Sequence, residues 1–185
     1  MNDSGKELLA ALNQVRGLFE EMSRLLSTSE ALMQESGWKP MKGSQATAEM
    51  SWAIHLPRQW MPRYLCRFYE SASSPHLLPC VSIQLGVYEA SEEVDLSEPL
   101  IVASLYDYGK GNKVVGWDYH YCEWHLWSPN RKDDGTICTV NPMNIWPEYK
   151  FQAALLSSFA LPLMTIIDTA SLKEHVTLPL CKLAS

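Results

Sequence analysis

The chain has 185 residues, 46% of them hydrophobic and 19% charged, which suits one domain with a core of its own and excludes a largely disordered chain. A net charge of −6 and a pI near 5.3 repel phosphate backbones, so nucleic acid is not an expected partner. No apolar run reaches the roughly 18 residues that a membrane span needs.

The chain starts MNDSGKELLAALNQ, without the basic-then-apolar layout of a secretory signal. Together with cysteines that are odd in number and scattered without a CxxC (Cys66, Cys80, Cys122, Cys138 and Cys181), this reads as a soluble, cytoplasmic protein with buried free thiols. Ser4 stands three residues before Glu7, the spacing of a capping box at a helix start. Apolar residues then recur at Leu8, Leu12, Val15, Phe19, Met22, Leu26 and Met33, in steps of four and three broken only across Ser29. Leu9, Leu18, Leu25 and Leu32 form a second stripe beside the first, and Gly37 is a natural stop. The pattern predicts a long helix over 5–36, either lying across a sheet or pairing with a partner helix such as a second copy of itself.

Residues 38–50 carry Pro, Gly, Ser and Thr and read as a connecting loop. The period then shifts towards two, and five strands are expected over 51–127: at 51–56, 63–71, 78–90, 98–108 and 114–127. In the third, Val81, Ile83, Leu85 and Val87 alternate with Ser82, Gln84, Gly86 and Tyr88, the mark of a half-buried strand. GKGN at 109–112 reads as a hairpin loop, which predicts that the fourth and fifth strands pair. After the turn residues 128–136 the pattern returns to helix over 148–176: Phe151, Leu155, Phe159 and Leu163 lie four apart, Pro162 interrupts, Asp168 or Thr169 caps a further short helix, and Pro179 closes it. The expected architecture is a single two-layer α+β domain over 1–185, an antiparallel meander of about five strands covered by the long N-terminal helix and one or two C-terminal helices.

The stretch GWDYHYCEWHLW, residues 116–127, is the richest in chemistry. On a strand, Trp117, Tyr119, Tyr121, Glu123, His125 and Trp127 share one face, and Asp118, His120, Cys122, Trp124 and Leu126 share the other. The parity separates His120 and Cys122 from Glu123 and His125, so these groups do not converge on one metal, and no metal or other cofactor is expected. The first face is a candidate ligand surface: four rings with a carboxylate and an imidazole among them.

Three further groupings have plain structural readings. Arg58, Arg63 and Arg67, interleaved with Trp60, Tyr64 and Phe68, read as solvated arginines before an anion grip. Asp107 and Glu123 sit on strands that a hairpin would join, but lack a lysine beside them. Ser, His and Asp show no nucleophile-elbow signature, so no catalytic residue is assigned. The expected function is therefore a non-enzymatic binding or assembly protein. Its long helix would meet a protein partner or a second copy, and its aromatic sheet face would serve recognition. The alternative is a small enzyme or ligand sensor working through Glu123 and His125.

Overall fold

A computed structural model describes residues 3–41, 46–48, 61–85, 96–112, 114, 125, 128, 130–145 and 153–185. The fold is α+β. Helix α1 runs over Asp3–Glu35, about 50 Å at 1.5 Å per residue. Among the described residues seven antiparallel strands follow: β1 (Lys39–Pro40), β2 (Thr47–Ala48), β3 (Tyr64–Glu70), β4 (Leu77–Gln84), β5 (Leu100–Asp107), β6 (Cys138–Val140) and β7 (Leu155–Pro162). The order across the sheet is β1-β3-β4-β5-β7-β6, with β2 also pairing on β3. Strands β1 and β2 lie along one edge of β3, so the sheet is six strands wide where five were expected. A one-turn helix α2 (Pro142–Ile145) separates β6 from β7. The chain ends in a helical run made of α3 (Thr169–Leu172), a π-helical turn (Lys173–Thr177) and α4 (Leu178–Leu183). Among the described residues, no helix is long and apolar enough to cross a membrane.

The expected strands at 63–71, 78–90 and 98–108 correspond to β3, β4 and β5, paired as a meander. The one at 51–56 lies outside the described residues, as does nearly all of 114–127. The loop expected at 38–50 carries β1 and β2, two residues each, and Pro40 tolerates its place because an edge strand leaves one row of N–H groups unpaired. Next to β5, on the side away from β4, stands β7, paired along the whole strand from Leu100↔Pro162 to Asp107↔Leu155.

That pairing corrects the helix expected over 148–176. Residues 155–162 are a strand, a single 3-10 turn follows at Leu163–Thr165, and α-helix begins again at Thr169; residues 148–152 lie outside the described residues. A spacing of four is ambiguous: Leu155 and Phe159 share one face of a strand as surely as one face of a helix. Pro179 does not close the last helix, which runs on to Leu183. The preceding π turn, where the Leu178 N–H reaches the Lys173 carbonyl, widens the coil where a proline ring would clash with the preceding turn. The start at Asp168 follows the expectation. Its carboxylate accepts from the Ser171 N–H at 2.7 Å, and the Ser171 hydroxyl accepts from the Asp168 N–H at 3.0 Å.

The strand parity sets the core. Odd-numbered residues of the central strands, among them Val81, Ile83, Ile101, Ala103 and Phe159, pack against Met22, Leu26, Leu32 and Met33 of α1 and against Leu172, Val176 and Leu180 of the C-terminal run. Even-numbered residues, including Tyr64, Cys66, Leu78, Cys80, Tyr106 and Leu156, form a second buried cluster on the opposite face. Ser82 and Gln84, expected on the wet side of a half-buried strand, are therefore buried, and the Gln84 amide donates to the Ser82 hydroxyl at 3.0 Å.

Two polar contacts fix how α1 lies on the sheet. Ser29, the break in the apolar stripe, is buried and shares a 2.9 Å hydrogen bond with the Tyr69 hydroxyl of β3. Arg67, expected in solvent, is buried and paired with Glu30 of α1, because its odd position on β3 turns it towards the helix. Such pairs specify register more than they add stability.

Candidate functional site

Of the six residues expected to form an aromatic ligand face, Trp117, Tyr119, Tyr121, Glu123 and Trp127 lie outside the described residues. His125 is described, and it is buried. Its Nδ1 lies 2.9 Å from the Ser158 hydroxyl of β7, and its Nε2 lies 3.4 Å from Asp133 Oδ1. Asp133 is held in turn by Arg131, whose Nε contacts both carboxylate oxygens at 3.0 Å and whose terminal nitrogen reaches Oδ2 at 2.6 Å. Beside them the Ser128 hydroxyl lies 3.1 Å from the Cys138 thiol of β6.

The sheet makes room for the imidazole. One row across four strands reads Cys80, Ser104, Ser158, Cys138, all small side chains on the even face. A larger residue at position 158 would fill the place that the ring occupies. Hydrogen-bond chemistry then assigns the tautomer. A carboxylate only accepts, so Nε2 carries the proton towards Asp133, and Nδ1 accepts from the Ser158 hydroxyl. The neutral ring satisfies both partners. Burial pushes the His125 pKa down, and the charge and hydrogen bond of Asp133 only partly offset this. Burial also opposes ionisation of Asp133, but its hydrogen bonds and ion pair with Arg131 outweigh that and hold the carboxyl below its usual range.

Ser158, His125 and Asp133 thus line up a hydroxyl, an imidazole and a carboxylate, but with the ring nitrogens exchanged relative to the hydrolase triad, in which Nε2 faces the serine and Nδ1 the carboxylate. No local sequence signal pointed to it. The members lie eight and 33 residues from His125, and Ser158 falls where the sequence pattern had suggested helix. Its setting differs from a catalytic one. Ser158 is 2% exposed in the middle of β7, between β5 and β6, and the His125 side chain is fully enclosed. A nucleophile needs an approach for the carbonyl that it attacks, and this hydroxyl has none. The cluster instead fastens His125, and through it Asp133 and Arg131, to strand β7.

Asp107, weighed as half of a carboxylate pair with Glu123, accepts from the Gly109 N–H at 2.8 Å and shapes the turn after β5; Glu123 lies outside the described residues. His120, Cys122 and Asp118 also lie outside them. Among the described residues, no three of His, Cys, Asp or Glu gather closely enough to hold a metal ion.

The other notable surface is on α1. Leu8, Leu9, Leu12, Val15 and Leu18 are exposed, Leu8 to 63%. The same face that meets the sheet from Met22 onward is uncovered over the first four turns. Where covered and uncovered parts meet, a groove of about 520 Å³ runs between α1 and the segment after β7, with Leu18, Met22, Leu25, Met164 and Ile167 among its walls. Comparison with protein-family models, with curated proteins and with solved structures gives no match.

Proposed function

We propose that this is a non-enzymatic assembly protein, which joins other protein chains through the N-terminal half of α1. The observation that carries the reading is the uncovered stripe Leu8, Leu9, Leu12, Val15 and Leu18 on a helix whose other half is anchored in the core. Fully burying one such side chain is worth about 1.5–3 kcal/mol, so five of them in water are a standing drive towards a cover. A helical stretch of roughly 15 residues without tertiary contacts is also marginal in water, and a partner would firm it. The enclosed state of Ser158 and His125 supports a binding role over a catalytic one. The aromatic face Trp117, Tyr119, Tyr121, Glu123 and Trp127 remains part of the proposal as a second recognition surface, resting on the sequence pattern.

The test is the double substitution Leu8→Glu, Leu12→Glu in the full chain. Both side chains are exposed, so the expected result is loss of association with an unfolding midpoint equal to that of the wild-type chain at low protein concentration, where association is absent. A collapse of the body would show that the stripe serves the fold and would refute the reading.

A further inference from the structure

We draw no further inference here: the strongest candidate, the uncovered apolar face of α1 over Leu8–Leu18 with the groove of about 520 Å³ beside it, belongs to the surface already described, and nothing in the structure shows what covers it.

Discussion

At the scale of single residues, buried polar side chains carry the clearest expectations. His125 is neutral in the fold because burial pushes its pKa below the free value of 6.5. At pH 8 the folded and unfolded states both hold a neutral ring. As pH falls through 6.5 the unfolded chain takes the proton first, so the stability associated with this residue is full above 6.5 and is lost as pH falls towards the folded value. Unfolding midpoints measured from pH 8 to 5 should fall on the acid side, and His125→Gln should flatten that part of the curve. An equal slope in the variant would show that other groups carry it. Asp133, held low by Arg131, contributes its own loss only below its free value of 3.8. Ser29 offers a second test. Ser29→Ala leaves the buried Tyr69 hydroxyl without its 2.9 Å partner, at a cost of about 1–3 kcal/mol in denaturant unfolding. Adding Tyr69→Phe should recover much of that cost, since an absent polar group has no unmet hydrogen bond.

At the scale of elements, α1 is one helix with two environments. Leu12 and Leu26 occupy equivalent heptad positions, yet Leu12 is 55% exposed and Leu26 only 4%. Leu26→Ala should cost about 2–5 kcal/mol, because it opens a cavity against the sheet. Leu12→Ala should change the stability of an isolated chain by less than about 0.5 kcal/mol. Chemical denaturation of both variants at low protein concentration, where association is absent, checks the contrast. Periodicity found α1 almost to the residue, because a 3.6 repeat held over nine turns has few competing explanations. It mistook β7 for helix because Leu155, Phe159 and Leu163 lie four apart, a spacing common to both periods. In the structure Leu156, Ser158 and Ala160 turn one way and Ser157, Phe159 and Leu161 the other, and β5 supplies the hydrogen bonds that make the segment a strand. Of the aromatic site, only His125 can be compared with its sequence reading. Its partners Ser158 and Asp133 were not legible, because contact across a sheet leaves no local spacing to read.

At the scale of the whole molecule, the long helix divides the surface into an anchored body and a projecting arm. Removing residues 1–16 should leave the body folded, with an unfolding midpoint independent of protein concentration, whereas the full chain's midpoint should rise with concentration as association stabilises it. Removing residues 1–36 strips Met22, Leu26, Leu32 and Met33 from the sheet and should yield insoluble protein. Thermal melts over a concentration series, with a solubility assay, distinguish these outcomes. The sequence by itself determined the α+β class, the extent of α1, the strands β3 to β5 and the cap at Asp168, because each is written in local periodicity or in hydrogen bonds between near neighbours. Only the tertiary structure decided that β7 lies beside β5, that Arg67 and Ser29 are buried, that His125 closes on Ser158 and Asp133, and which half of one continuous apolar stripe is left uncovered. Those outcomes depend on which faces meet, and residues distant in the chain settle that through burial and hydrogen-bond satisfaction.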